Sequence, residues 1–223
     1  MGEFIRLTAS DGHEFGAYLV TPDGEARGGL IVGMEMYGVN GYLQGVCDDY
    51  AAAGYLTIAP LLFDRFEPNL TNPYDDAGSR RGKELSAIID HDQTVLDVSA
   101  AIDRVRIAGK VAIMGFCFGG TVTWLASCRC DLDAGIAYYG SNMCDYPDEQ
   151  PNCPIICHVG DLDTAVPPDD VAAFQERRPE VHWNIYHGAQ HGFDNSTRAV
   201  RYDAAATALA RERSLAFLRD QVG

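Results

Sequence analysis

The feature that most constrains this chain is a cysteine between glycines, in the segment Gly115-Phe116-Cys117-Phe118-Gly119. The apolar run 111–114 precedes this segment, and residues 121–126, which have helical character, follow it. A strand, a tight turn and a helix, with small residues two positions before and after a nucleophile, make up the nucleophile-elbow pattern. Glycine is expected at both flanks because the central residue adopts strained backbone geometry, and larger side chains would collide with the neighbouring strand and helix.

Cysteine at the centre of this pattern, where serine is usual, has two interpretations. Free cysteine is among the most buried residue types, so the segment is also compatible with a packed turn that has no chemical role. A thiolate, however, is a good nucleophile whose reactivity is set by the pKa of its surroundings. The rest of the chain favours the second interpretation.

The composition argues against several classes of protein. The chain has 223 residues, 47% hydrophobic and 22% charged, as is ordinary for a globular protein with one buried core. Its formal net charge of -15 argues against nucleic-acid binding, which requires a basic face. No apolar run approaches the length of a membrane span, and residues 1–4 do not begin a signal peptide. We therefore expect a cytoplasmic location and no membrane partner.

The seven cysteines do not suggest a disulfide framework or a metal site. Their number is odd and no secretory signal is recognised, which is typical of thiols in a reducing compartment. Cys128 with Cys130, and Cys153 with Cys157, lack the paired spacing of a zinc site. No pattern indicates a nucleotide or flavin either, so we expect no cofactor, and a monomer or a small homo-oligomer.

The order of predicted elements indicates an α/β fold. Asp11-Gly12 joins two antiparallel strands, and from Gly29 onward strands alternate with helices, which predicts a mainly parallel sheet with helices on both faces. Without an internal repeat or a linker, residues 1–223 are expected to form a single domain. The predicted strands are 4–8, 14–20, 29–34, 55–60, 111–115, 134–139, 154–160 and 181–186, the predicted helices are 41–53, 84–107, 168–178 and 199–221, and 64–80 is a predicted surface loop.

Candidate catalytic residues follow the carboxyl ends of the predicted strands, where functional groups cluster in doubly wound sheets. Glu35 follows one strand, Cys117 another, and Asp161 and Asp163 a third, while His191 comes in a loop after the last strand. Nucleophile, acid and histidine in this chain order are typical of the α/β-hydrolase triad. Either aspartate is suited to orient His191, and either is also placed to cap the helix that begins near residue 168.

Four further segments of the chain have the form of motifs that recur together in one family of hydrolases. They are the hairpin Ser10-Asp11-Gly12-His13-Glu14-Phe15-Gly16-Ala17, the glutamate segment Met34-Glu35-Met36-Tyr37-Gly38-Val39-Asn40, the elbow with Gly120, and the strand Ala137-Tyr138-Tyr139-Gly140. With them, the chain resembles over nearly its whole length the dienelactone hydrolase family, the cysteine branch of the α/β hydrolases. The family's acid segment, Gly-x-x-Asp-x-x-Val-Pro, matches residues 160–167 and selects Asp163.

The resemblance implies a role for each candidate residue. Cys117 would attack an ester or lactone carbonyl, and His191, oriented by Asp163, would take the thiol proton and later activate water. Glu35 is expected to interact with the resting thiol until substrate binding releases the cysteine toward the histidine. The backbone N–H groups that would form the oxyanion hole belong to Met36 and Phe118. The alternative for Glu35 is a carboxylate that caps the helix at 41–53.

Substrate recognition departs from the family pattern. Dienelactone hydrolases hold a substrate carboxylate with two arginines, one in the loop before the long helix and one four residues after the catalytic histidine. Asn195 occupies the second position here. The candidates for substrate binding in this chain are therefore Arg80, Arg81, Arg198 and Tyr37.

Three functions are compatible with these residues. The first is a dienelactone hydrolase-like enzyme that acts on a small lactone or ester in the breakdown of aromatic compounds. The second is a broad carboxylesterase without preference for anions, which the asparagine at position 195 favours. The third is a sensor or binding protein that uses the Cys117 thiol on a hydrolase scaffold, against which the intact glutamate, aspartate and histidine argue.

Overall fold

A sheet of eight strands organises the structure, which is a computed structural model that describes residues 2–223. Along the sheet the strands lie in the order β1-β2-β4-β3-β5-β6-β7-β8. The first two strands pair antiparallel to each other, β2 pairs antiparallel to β4, and the remaining neighbours are parallel. The strands are β1 Glu3–Thr8, β2 Glu14–Val20, β3 Gly29–Gly33, β4 Leu56–Pro60, β5 Val111–Phe116, β6 Ala134–Tyr138, β7 Ile155–Gly160 and β8 His182–Tyr186.

Helices cover both faces of the central strands. Every residue of β3 to β7 is buried, and since successive side chains of a strand point to opposite faces, both faces must be covered. The mainly parallel α/β arrangement predicted from the sequence is therefore confirmed. The helices are α1 Gly41–Ala52, α2 Asp76–Ile88, α3 His91–Val105, α4 Phe118–Arg129, α5 Pro168–Arg177 and α6 Ala204–Gln221, with 3-10 turns at Arg106–Ala108 and Met143–Asp145.

The predicted helix 84–107 is wrong, because two helices occupy that region. The chain becomes extended at Ile89, and the side chain of Asp90 then accepts hydrogen bonds from the backbone N–H groups of Asp92 and Gln93, which begins α3. Apolar residues recur with the same period in both helices, so this period does not reveal where one helix ends and the next begins. The interruption comes from the capping aspartate, whose side chain competes for the backbone N–H groups of a continuous helix.

The predicted loop 64–80 extends too far, since α2 already begins at Asp76. Two glycines lower the helix propensity of this segment but allow close packing. A Cβ atom at Gly78 would lie 2.0 Å from the carbonyl oxygen of Pro73, and one at Gly82 would lie 2.5 Å from that of Met36. The predicted helix 199–221 likewise begins later, at Ala204, where Asp203 caps it.

None of the helices among residues 2–223 combines the length and apolar character that crossing a membrane requires.

Candidate active site

The elbow cysteine lies in the backbone geometry that the glycines were expected to serve. Cys117 has φ 55° and ψ -115°, directly between the end of β5 and the start of α4. A Cβ atom at Gly115 would lie 2.0 Å from the carbonyl oxygen of Gly119, and one at Gly119 would lie 2.3 Å from that of Gly33. Larger residues at either position would force the helix away from the sheet, so the two glycines hold Cys117 in this strained turn.

The loops after β7 and β8 bring Asp163 and His191 together. Nδ1 of His191 lies 2.9 Å from Oδ2 and 3.1 Å from Oδ1 of Asp163. Oδ1 also accepts from the backbone N–H groups of Ala165 and Val166, at 2.8 and 3.0 Å, so the carboxylate is fixed by its own loop. With Nδ1 facing the carboxylate, the other ring nitrogen of His191 is the one available to the thiol.

Asp161, the second acid that the sequence left open, makes a different pair. Its Oδ2 lies 2.6 Å from Nδ1 of His187, and its Oδ1 accepts from the backbone N–H of Gly188. The His187 side chain is 98% exposed, whereas that of His191 is 12% exposed. Two Asp–His pairs thus lie on the same pair of loops, and the one in the cavity contains Asp163.

Cys117 and His191 shift each other's pKa. Burial is the largest single influence on the pKa of the Cys117 thiol and raises it, but the charge of His191, its hydrogen bond to the thiol and the hydrogen bond with Ser141 together bring the pKa below its ordinary value. Burial alone would lower the pKa of His191, yet the Cys117 thiolate and the carboxylate of Asp163 raise it to about 10. The site therefore favours a thiolate beside an imidazolium, which is the reactive form of a cysteine nucleophile.

The hydroxyl of Ser141 is the hydrogen-bond partner of the thiol. Cys117 Sγ lies 3.2 Å from Ser141 Oγ, a contact that also helps to lower the thiol pKa. The expected contact of the thiol with Glu35 is not among the hydrogen bonds of residues 2–223. The negative charge of Glu35 nevertheless raises the pKa of Cys117 and opposes the effect of His191.

Two residues that line the cavity have backbone N–H groups without an internal acceptor. Phe118 begins α4, and neither its N–H nor that of Met36 has a hydrogen-bond partner among residues 2–223. Both residues line the cavity that contains Cys117. Unpaired donors beside a nucleophile are the arrangement that an oxyanion hole requires. Gly82 packs against the carbonyl of Met36 and so helps to fix the backbone of that residue.

Glu35 lies buried two residues beyond β3, with its carboxylate turned toward the loop before α2. Its Oε2 accepts from the hydroxyl of Tyr74 and from Nδ2 of Asn195, each at 2.9 Å. Burial raises the pKa of Glu35, and the hydrogen bond from Tyr74 and the charge of Arg198 oppose that rise. The cap of α1 is Asn40. The structure thus does not place Glu35 at the start of that helix.

The active-site cavity has a volume of about 670 Å³, which falls in the range of small-molecule sites. Tyr37 is part of its lining. Arg80 and Arg81 lie outside the lining, both are exposed, and Arg81 forms an ion pair with Glu67. Arg198 also lies outside, with its guanidinium 5.3 Å from the ring centre of Tyr37 and 5.4 Å from that of Tyr74.

Other cations line the cavity, and sequence reasoning missed them. Lys83, on α2, and Arg201, in the loop before α6, both contribute to the lining, together with the acidic Asp145. Nη1 of Arg201 lies 3.4 Å from the carbonyl oxygen of His191. Lys83 lies two or three positions after the two predicted arginines on the same helix. The sequence did not show which side of α2 faces the cavity, and this side carries Lys83. Arg201 has no signal beyond its distance from His191 in the sequence.

The family model of the dienelactone hydrolases matches residues 15–222. The chain belongs to the dienelactone hydrolase family. Two curated carboxymethylenebutenolidases, from Pseudomonas putida and Pseudomonas knackmussii, are each 30% identical to it over 228 residues, covering 97% of this chain and 95% of the relative.

Solved structures agree with this family membership. A Klebsiella pneumoniae protein classed as a dienelactone hydrolase superposes with a TM-score of 0.83 at 27% identity, over 96% of this chain and 98% of that one. A dienelactone hydrolase-like promiscuous phosphotriesterase from metagenomic libraries has a TM-score of 0.80 at 19% identity, over 100% and 99% of the two chains, and shares the fold. The fold of this dienelactone hydrolase family member is that of the α/β hydrolases.

Proposed function

We propose that this family member, a hydrolase of ester or lactone bonds, uses Cys117 as its nucleophile through an acyl-enzyme. The observation that carries the proposal is the alignment of His191 by both oxygens of Asp163, in the same cavity as the strained elbow cysteine. A free thiol in a packed turn requires neither an oriented imidazole nor unpaired N–H groups beside it.

The first half of the reaction forms a thioester. Sγ of Cys117 attacks the carbonyl carbon, and its proton resides on His191, whose imidazolium is stabilised by Asp163. The oxygen of the tetrahedral intermediate becomes negative and accepts hydrogen bonds from the N–H groups of Met36 and Phe118. The C–O bond of the ester or lactone then breaks, and the leaving alkoxide takes the proton from the imidazolium.

The second half hydrolyses the thioester. His191, now neutral, takes a proton from a water molecule that attacks the acyl carbon, and the same two N–H groups stabilise the second oxyanion. The thiolate of Cys117 leaves, the acid product is released, and the proton on the imidazole restores the resting ion pair. The depressed pKa of the thiol makes it a good leaving group in this step.

A carboxylesterase without anion preference is the second candidate. It is favoured by the exposed positions of Arg80 and Arg81 outside the cavity, and by Asn195, which is bonded to Glu35. Lys83 and Arg201 in the cavity lining favour a carboxylate-bearing substrate instead. The two candidates share the same chemistry and differ in the charge of the substrate.

The test compares Cys117→Ala with Cys153→Ala, a control that removes a partly buried thiol outside the cavity lining. We expect Cys117→Ala to abolish hydrolysis of p-nitrophenyl acetate and the control to retain it. Acid-quenched wild-type enzyme should gain the mass of one acyl group on the peptide that contains Cys117. Wild-type turnover in Cys117→Ala, or an acyl group on a different residue, would refute the proposal.

A further inference from the structure

A closed hydrogen-bond network surrounds one oxygen of Glu35. We call Asn40, Tyr74 and Asn195 the Tyr74 clasp. Nδ2 of Asn40 lies 2.9 Å from the Tyr74 hydroxyl, and Nδ2 of Asn195 lies 2.8 Å from it. The hydroxyl and Nδ2 of Asn195 each lie 2.9 Å from Oε2 of Glu35. Tyr74 and Asn195 thus both donate to one carboxylate oxygen, and Asn40 is linked to it through the Tyr74 hydroxyl.

The orientation of both amides is fixed by their other partners. The oxygen of Asn40 caps α1 by accepting from the N–H groups of Tyr42 and Leu43, so its nitrogen must face Tyr74. The oxygen of Asn195 accepts from both the N–H and the hydroxyl of Thr197, so its nitrogen must face Glu35 and Tyr74. Both amides therefore act as donors within the clasp.

This orientation determines where the Tyr74 hydroxyl hydrogen lies. A tyrosine hydroxyl has one hydrogen to donate and two lone pairs that accept. Asn40 and Asn195 occupy both lone pairs, so the hydrogen points at Oε2 of Glu35. That oxygen then accepts two hydrogen bonds, from Tyr74 and from Asn195, and has no lone pair free for a proton.

We propose that Asn40, Tyr74 and Asn195 are positioning residues that favour the charged form of the Glu35 carboxylate against the effect of its burial, and that leave Oε1 as the oxygen that takes a proton. The proposal rests on Cys117 as the nucleophile, because the charge of Glu35 matters through its effect on that thiol. The clasp holds the carboxyl group in one orientation and restricts its protonation to one side.

The electrostatic surroundings support this assignment. Burial is the strongest influence on Glu35 and raises its pKa. Three weaker influences lower the pKa, which in decreasing order are the hydrogen bond from Tyr74, the positive charge of Arg198 and the hydrogen bond from Asn195. Hydrogen bonds to a charged form stabilise that form. The titratable groups whose charges interact with Glu35 are Tyr42, Tyr74, Cys117, Tyr139, His191 and Arg198.

The experiment measures the rate at which iodoacetamide alkylates Cys117 as a function of pH, by mass analysis of its peptide. It uses the wild type, Tyr74→Phe, Glu35→Gln and the double variant. In Tyr74→Phe the inflection that belongs to Glu35 should move upward by about one pH unit, because one hydrogen bond to the carboxylate is lost. Glu35→Gln should lack this inflection, and adding Tyr74→Phe to it should change nothing.

Two further variants separate positioning from a general loss of structure. Asn195→Ala removes the other donor to Oε2 and should shift the inflection in the same direction, which tests the clasp even if Tyr74→Phe does not fold. Tyr55→Phe removes a hydroxyl that donates to the carbonyl of Gly223 and should leave the profile unchanged. If Tyr74→Phe changes the pH profile of alkylation by the same amount in the wild type and in Glu35→Gln, the clasp is overturned.

The outcome also separates this inference from the proposed function, since alkylation requires no turnover. A wild type that hydrolyses esters through Cys117 but shows no shift in Tyr74→Phe or Asn195→Ala refutes the clasp alone. A protein that shows both shifts at Cys117, yet hydrolyses neither lactones nor esters, supports the clasp and refutes the proposed function.

Discussion

Replacement of Asp163 by asparagine should disable the enzyme by reversing the tautomer of His191. Oδ1 of Asp163 accepts from the N–H groups of Ala165 and Val166, while Oδ2 is the oxygen nearer to Nδ1 of His191, at 2.9 Å against 3.1 Å for Oδ1. An asparagine has one acceptor oxygen, and the two backbone donors require it on their side. Its NH₂ group then faces Nδ1, which must present a lone pair, so the ring hydrogen moves to the nitrogen that should take the thiol proton.

The expected loss in kcat/KM for p-nitrophenyl acetate is about 10³- to 10⁴-fold, or about 4 to 5.5 kcal/mol of transition-state stabilisation. Alkylation of Cys117 at neutral pH should also slow, because the carboxylate that helps to raise the pKa of His191 is gone. Asp161→Asn is the matched control, since Asp161 bonds to His187 and a backbone N–H in the same way, outside the cavity lining. Retention of more than about a tenth of the wild-type rate in Asp163→Asn would refute the tautomer argument, because a tenfold loss corresponds to only about 1.4 kcal/mol.

Two further predictions concern the substrate and the response to acid. Arg201→Ala and Lys83→Ala should raise KM for an anionic lactone by about ten- to a hundredfold and leave a neutral ester nearly unchanged, since a charge-assisted bond contributes about 1.5–3 kcal/mol; equal effects on both substrates in steady-state assays would favour the plain carboxylesterase. Burial lowers the pKa of His158 from 6.5 to about 3. The folded state therefore binds a proton at His158 less readily than the unfolded state does. The free energy of unfolding should fall by up to about 5 kcal/mol as the pH drops from above the unfolded pKa toward the folded pKa. In urea unfolding followed by fluorescence, His158→Gln should show a shallower loss of stability between these two pKa values than the exposed control His182→Gln, and parallel curves for the two variants would contradict this.

The fold was predictable because its signals are local and repeated. The strands lie close to the predicted ranges, since apolar runs bounded by turn residues mark buried strands. The helix boundaries at the capping residues Asp75, Asp90 and Asp203 were missed because each depends on a single capping side chain, and aspartate is also common in loops. Periodicity alone does not distinguish one long helix from two that share an apolar face.

The candidate site divides in the same way. Cys117, Asp163 and His191 each follow a strand within a recognisable motif, and the structure brings the last two into contact. Ser141 and Tyr74 have no such signal, because they approach the site from loops whose course depends on tertiary packing. Hydrogen bonds between residues far apart in sequence, such as that between Tyr74 and Asn195, leave no periodic pattern in a single sequence.

The asparagine at position 195 connects the Glu35 network with the question of the substrate. An arginine there would place a positive charge beside the glutamate and toward the substrate, whereas Asn195 supplies two neutral donors, to Glu35 and to Tyr74. Arg198 supplies a positive charge instead, but it stacks on Tyr37 and Tyr74 outside the cavity lining, where it acts on Glu35 rather than on a ligand. In a chain with a net charge of -15, an anionic substrate must therefore be held by cations elsewhere in the lining. Arg201 is such a cation, so its replacement most directly distinguishes an enzyme for anionic lactones from one for neutral esters.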